Sequence, residues 1–318
     1  MNAYEALAVQ AAGLGRSFGQ NRAVDGVDLT IPIGMIFGLL GPDGAGKSTL
    51  IRMLATVLAP DTGDATIFGN SVRRSPGRVI PRIGYMSQNF SMYPDLSVSE
   101  NLNFFATLRG ISRAEREPRA AALMSAMGLV EFADMRARNL SGGMKQKLML
   151  AATLIHQPDL LLLDEPTTGV DPVSRREFWR ILARLHREGK TVLVSTPYMD
   201  EAERCSYLAF LSDGRISHEG SPAEIKAVVP GTLLELVTPQ PRAVLAAVTG
   251  TPSVRSAHLF GDVVRVLWNG GSGGAEELTS RLVDVGLSVT AVRPARVDME
   301  AAFAFLAESE RLTEVAQL

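Results

Sequence analysis

Short apolar runs broken by Gly, Pro and Asp fill the first seventy residues. Leu7–Ala11, Val27–Ile31, Met35–Leu40 and Asp64–Phe68 read as strands, with Ile83–Met86 as a fifth. The period then turns helical, from about Ser97 to Gln157. Ser97-Val-Ser-Glu100 is a capping-box pattern that opens a helix over Val98–Arg109, and Arg113–Met127 keeps the same spacing. Leu160–Asp164 and Thr191–Ser195 are unbroken apolar runs, the mark of strands covered on both faces. Between them, Pro172 opens a helix to about Glu188. Strands and helices alternating around a helical stretch predict an α/β core carrying an inserted helical subdomain at about 89–157.

After about Pro230 the character changes. Leu233–Val237, Val263–Trp268 and Leu287–Val292 are strand-like, whereas Arg242–Val248 and Ala275–Val285 are helix-like. Asn269-Gly-Gly-Ser-Gly-Gly274 reads as a flexible joint. The order β-α-β-β-α-β predicts a small α+β, ferredoxin-like appendage. The expected division is 1–228 for the larger domain and 229–318 for the accessory one.

Composition narrows the class only a little. The chain has 318 residues, 46% hydrophobic and 21% charged, and a net charge of −2, so it is an ordinary globular sequence without the bulk basicity of a nucleic-acid binder. The single Cys205 excludes an internal disulfide. No apolar run approaches the roughly 18 residues that span a bilayer. Met1–Glu5 lacks the basic start of a signal peptide. Any membrane role is therefore expected to run through another chain.

Chemistry enters at Gly41-Pro-Asp-Gly-Ala-Gly-Lys-Ser-Thr49, which fits G-x-x-x-x-G-K-[ST]. It follows the predicted strand Met35–Leu40 and opens a predicted helix over Lys47–Leu58, stopped by Pro60. That setting puts phosphate at a helix N-terminus, with glycines letting backbone N–H groups approach it. Lys47 reaches the β- and γ-phosphates as a point charge, and the Ser48 hydroxyl is a candidate Mg²⁺ ligand. The pattern implies a nucleoside triphosphate. A second constellation, Leu160-Leu-Leu-Leu-Asp-Glu-Pro166, puts Asp164 where it can hold the Mg²⁺ shell. Glu165 is then placed to polarise a water.

Between these two lies Asn139-Leu-Ser-Gly-Gly-Met-Lys-Gln146. With all three in this order, the chain resembles the ATP-binding subunits of ABC transporters over about Leu7 to Gly220. The resemblance implies a P-loop ABC-type fold that uses ATP and Mg²⁺, with Gly41, Asp43, Gly44, Gly46, Lys47, Ser48 and Thr49 around the nucleotide. It implies that Ser141, Gly142 and Gly143 form a signature that meets the γ-phosphate held by an opposing subunit. Phe18 matches the aromatic that stacks on adenine. Gln88 matches the glutamine that senses Mg²⁺ and the attacking water, and Asp171 the loop that crosses the dimer interface. Asn89–Asp95, with Met92 and Tyr93, matches the surface that receives a permease's coupling helix. Further similarity, at Thr167–Arg176 and Tyr198–Glu203, is to subunits that drive small-molecule export with a separate ABC-2-type permease. The expected protein is thus a peripheral ATPase at the cytoplasmic face of the membrane. Its expected partners are a permease and a second ATP-binding chain, with no nucleic acid.

Two positions depart from the family pattern. Met144 stands where Gln is usual, as in export-type members. Pro197 stands where the family's switch histidine bridges γ-phosphate and water, and proline offers neither a side-chain donor nor an N–H. The nearest hydroxyls are those of Ser195, Thr196 and Tyr198. This departure opens an alternative function: a degenerate nucleotide-binding partner that lends its signature to a second, active subunit.

Overall fold

Three fully buried strands, β3 (Ile36–Leu40), β7 (Leu160–Asp164) and β8 (Thr191–Ser195), run parallel through the centre of the first unit. In the computed structural model, which describes residues 6–271 and 273–316, every residue of these strands is buried. Ser272 of the predicted joint and Met1–Glu5 lie outside the described residues.

In chain order the first unit contains β1 (Leu7–Phe18), β2 (Asn21–Pro32), β3, α1 (Lys47–Leu54), β4 (Thr62–Ile67), β5 (Asn70–Ser71), α2 (Pro76–Val79) and β6 (Ile83–Met86). It continues with α3 (Val98–Leu108), α4 (Arg113–Met127), α5 (Gly142–Leu154), β7, α6 (Pro172–Arg187), β8, α7 (Met199–Ala202), β9 (Tyr207–Ser212) and β10 (Arg215–Gly220), and α8 (Pro222–Ala227) straddles the division between the units. One sheet has the order β10-β9-β3-β8-β7-β6, parallel except for β10. A second, antiparallel sheet has the order β2-β1-β4-β5. Apolar residues of both sheets and of α1 share one core, including Leu14, Ile31, Phe37, Leu50 and Leu162.

Helices α3–α5 form the inserted stretch, and the capping box at Ser97 is present in full. Wholly buried Asn101 fixes the turn before α3. Its Oδ1 accepts from the Tyr93 amide, and its Nδ2 donates to the Tyr93, Leu96 and Ser97 carbonyls. Met92 is buried as local core, whereas Tyr93 is about half exposed and meets Phe104 edge-on.

The chain divides into two compact units at Pro222/Ala223. The second holds β11 (Thr232–Val237), α9 (Pro241–Val248), β12 (Val254–Phe260), β13 (Val263–Trp268), α10 (Gly274–Asp284), β14 (Ala291–Ala295) and α11 (Met299–Ala316). Its antiparallel sheet has the order β12-β13-β11-β14, which is the split β-α-β pattern, with α11 added. Trp268, Leu234, Leu236, Val264 and Leu278 anchor a separate core.

Three expected boundaries differ. α1 ends at Leu54 rather than Leu58, because the chain turns at Thr56, whose φ is 60°. The last strand occupies Ala291–Ala295, not Leu287–Val292; Leu287 instead closes α10, its amide donating to the Leu282 carbonyl. β1 and β2 run well beyond their apolar runs, carried by a long antiparallel pairing with register shifts. Among the described residues no helix is long and apolar enough to cross a membrane.

Candidate functional site

The sheet order decides what comes together. β8 lies between β3 and β7, so the loop after β3 and the acids ending β7 flank the end of β8. Ser195 is in register with Leu39 on one side and Asp164 on the other.

The loop between β3 and α1 is held by close backbone approaches. Gly46 has φ 104° and Gly41 φ 147°, and a Cβ on either would run into a carbonyl oxygen, that of Ala23 or of Leu211. Only glycine allows both the angles and the contacts. Gly44, with φ 83°, faces open space, and Asp43 beside it is exposed. Lys47, at the first turn of α1, is almost fully buried. Its Nζ donates to the Gly41 and Pro42 carbonyls at 2.8 and 2.9 Å and lies 3.8 Å from Glu165 Oε1. Thr49 lies two residues further along α1.

Ser48 Oγ donates to Asp164 Oδ1 at 2.9 Å, across 116 residues of sequence. Ser195 Oγ donates to the same oxygen at 3.0 Å and accepts from the Glu165 amide at 2.9 Å. Asp164 Oδ2 is buried and accepts from no group among the described residues. A hydroxyl and a carboxylate with an idle buried oxygen are the hard donors that Mg²⁺ takes, so Ser48 and Asp164 fit the metal.

Glu165 occupies the left-handed region at φ 47°, a conformation that costs a non-glycine residue about 1–2 kcal/mol. It is pinned there by Ser195 at its amide and by Gln88 Nε2, which donates to Oε2 at 2.8 Å. Thr168 Oγ1 donates to the same oxygen at 3.2 Å. Lys47, Ser48, Gln88, Asp164 and Glu165 thus form one connected cluster at the sheet's C-terminal edge. Such crevices are where open α/β sheets bind ligands.

Ser141, Gly142, Gly143 and Asp171 make a second group. Ser141 caps α5, accepting from the Met144 amide, and Asp171 caps α6, accepting from the Val173 and Ser174 amides. The Ser174 hydroxyl and amide hold the Asp171 carboxyl below its usual range. α5 and α6 touch at Gly143, where a Cβ would meet the Ser174 side chain, and Lys147 bridges to Glu177 at 2.6 Å. Gly142, in contrast, is exposed. Phe18 ends β1 about half exposed, with the Arg16 guanidinium 5.2 Å from its ring centre. Among the described residues no side-chain hydrogen bond or ion pair joins Phe18 or this second group to the Asp164 cluster.

Of the hydroxyls nearest Pro197, those of Ser195 and Thr196 are already engaged. Ser195 is taken up by Asp164 and Glu165. Thr196 Oγ1 donates to Glu201 and accepts from the Tyr198 amide, and the Tyr198 ring carries the Arg175 guanidinium at 4.5 Å. Pro197 itself is exposed.

The family model described as ABC transporter matches residues 24–168, which contain the Lys47 loop, the signature and both acids. The daunorubicin/doxorubicin resistance ATP-binding protein DrrA of Streptomyces peucetius is 43% identical over 237 residues, covering 74% of this chain and 72% of DrrA. The chain belongs to the ABC transporter family. It is also 42% identical over 247 residues to the probable multidrug ABC transporter ATP-binding protein YbhF of Escherichia coli (strain K12). That match covers 77% of this chain but 43% of YbhF, so the chain spans less than half of that relative. A dimeric ATP-binding cassette solved in a post-hydrolysis state with ADP and Pi has a similar fold, at 26% identity and a TM-score of 0.61, covering 67% of this chain and 98% of its own. ABC cassettes bind ATP with Mg²⁺, in keeping with the donors found here.

From the sequence, Ser195 enters only as a substitute hydroxyl. Its place between Ser48's acid and Glu165 follows from the sheet order, which sets the end of β8 beside both motifs.

Proposed function

We propose that this chain binds and hydrolyses ATP to power a separate membrane permease of the ABC-2 type that exports a small molecule. The single observation that carries this is the connected cluster of Lys47, Ser48, Gln88, Asp164 and Glu165. It offers one buried cation for phosphate, two oxygen donors for metal, and one oriented carboxylate.

In this scheme Lys47 leaves the Gly41 and Pro42 carbonyls for the phosphates, and the loop amides around Gly44 cradle them. Ser48 and Asp164, with Gln88, would hold Mg²⁺, which would supply neutralisation of the phosphate charge when bound. Glu165, aimed by Gln88, Thr168 and Ser195, takes the proton of the attacking water. Phe18 stacks on the base. Ser141–Gly143 present a hydroxyl and helix-start amides to the γ-phosphate of a second ATP-binding chain, with Asp171 beside that junction. The two chains close head to tail over two ATP molecules and open after hydrolysis, at the cytoplasmic face of the membrane. The surface around Tyr93 receives the permease. The segment 229–318 is an accessory domain in this scheme.

A second reading is favoured by the commitments of Ser195 and Thr196, whose hydroxyls are the two closest in sequence before Pro197, where the histidine is absent. Here the chain binds ATP but relies on a different, competent ATPase subunit, to which it lends Ser141–Gly143.

Binding and chemistry separate in two variants. Lys47→Ala abolishes Mg-ATP binding, whereas Glu165→Gln retains it and loses turnover by about 100-fold or more. Equal turnover by Glu165→Gln and wild type contradicts the assigned role of the carboxylate.

A further inference from the structure

Glu201, on α7, carries a wholly buried carboxylate that lies outside the Lys47–Asp164 cluster. Its Oε1 accepts from Thr167 Oγ1 at 2.8 Å, and its Oε2 accepts from Thr196 Oγ1 at 2.6 Å. Arg175 Nε, from α6, lies 3.9 Å from Oε1. The Arg175 guanidinium stacks on Tyr198 and approaches Asp200 at 3.6 Å, so it tracks the segment after β8 as well. Each carboxylate oxygen thus holds a different stretch of chain. Oε1 holds Thr167, two residues past Glu165 and at the head of the turn to Asp171; the Val170 amide closes that turn onto the Thr167 carbonyl at 3.2 Å. Oε2 holds Thr196, next to Pro197; Thr196 Oγ1 also accepts from the Tyr198 amide at 3.1 Å.

If either segment moved alone, it would leave a wholly buried carboxylate oxygen without its hydroxyl donor, and buried acceptors tolerate that poorly. The two must therefore move as one body. We infer that Glu201 is a positioning residue that locks the segment Thr167–Asp171 to the segment Thr196–Tyr198. Ser195 joins the strand ends at Asp164 and Glu165, and Glu201 joins the two turns beyond them. A displacement at Asp171, which the proposed function puts at the junction between two chains, is then passed to the backbone around Pro197 although Pro197 has no polar side chain. Relaying that displacement to turnover rests on the proposed hydrolysis; the lock itself does not.

Amide hydrogen exchange of the full chain, resolved by mass spectrometry, tests the lock directly. Thr196→Val removes one arm at constant shape. It should speed exchange across Thr168–Val170, about 30 residues away in sequence, by about tenfold, while β7 and β13 exchange as in wild type. Thr167→Val should do the same, in reverse, for residues 198–202, since coupling is reciprocal. Unchanged exchange in the distant segment for both variants overturns the inference, as does equal acceleration in β7, which would mean general loosening. Given turnover in wild type, the two substitutions should lower kcat non-additively, with KM for Mg-ATP unchanged; additive losses in kcat contradict the lock. A wild type without turnover refutes the proposed hydrolysis and leaves the exchange result to decide Glu201 by itself.

Discussion

Ser195 Oγ bridges the two acids that end β7, donating to Asp164 Oδ1 at 3.0 Å and accepting from the Glu165 amide at 2.9 Å. One hydroxyl thereby holds both the candidate metal ligand and the strained residue after it. Ser195→Ala leaves the buried Glu165 N–H without a partner, which costs about 1–3 kcal/mol. Chemical denaturation should show that loss. Turnover should fall more than nucleotide affinity does, because Glu165 is released from φ 47° while Lys47 is untouched.

Neighbouring glycines of the signature should behave oppositely in stability. A methyl at Gly143 runs into Ser174 on α6, whereas one at Gly142 finds only the Gly169 carbonyl, at an ordinary 3.7 Å. Overpacking of this kind costs about 1–3 kcal/mol. Gly143→Ala should therefore lower the unfolding midpoint and Gly142→Ala should leave it within about a degree or two of wild type. Both should impair nucleotide-driven pairing of chains.

Cys205 gives a pH-dependent handle. Burial, and then the Glu201 charge, push its thiol up to about 12. Because the neutral thiol is favoured in the fold, the native state gains nothing from this group at low pH and loses stability as pH climbs past the ordinary thiol range towards 12. Since the thiolate is the reactive form, a maleimide or disulfide reagent at about pH 8 should leave the native chain unlabelled and modify it once upon unfolding. Rapid labelling of native protein would contradict the packing around α7.

Much of the frame is legible in the sequence because it is local. Ile83–Met86, Leu160–Asp164, Thr191–Ser195 and Val263–Trp268 are read to the residue, since short apolar runs bounded by turn residues suit buried strands. The Lys47 loop and the Asp164–Glu165 pair declare their chemistry through spacing. Long-range geometry is not legible. The left-handed turn at Glu165, the bridging by Ser195 and the burial of Glu201 depend on which strands become neighbours, and no local period encodes that. α1 reads four residues too long, because Val57 and Leu58 extend its apolar pattern past the turn at Thr56.

The two proposed readings divide at Pro197. Steady-state phosphate release by purified wild type, beside Lys47→Ala and Pro197→His, is the most direct measurement. Mg²⁺-dependent turnover by wild type should stand well above the Lys47→Ala background and rise further in Pro197→His. Wild-type release no faster than that of Lys47→Ala, with ATP still bound, would contradict the proposed hydrolysis.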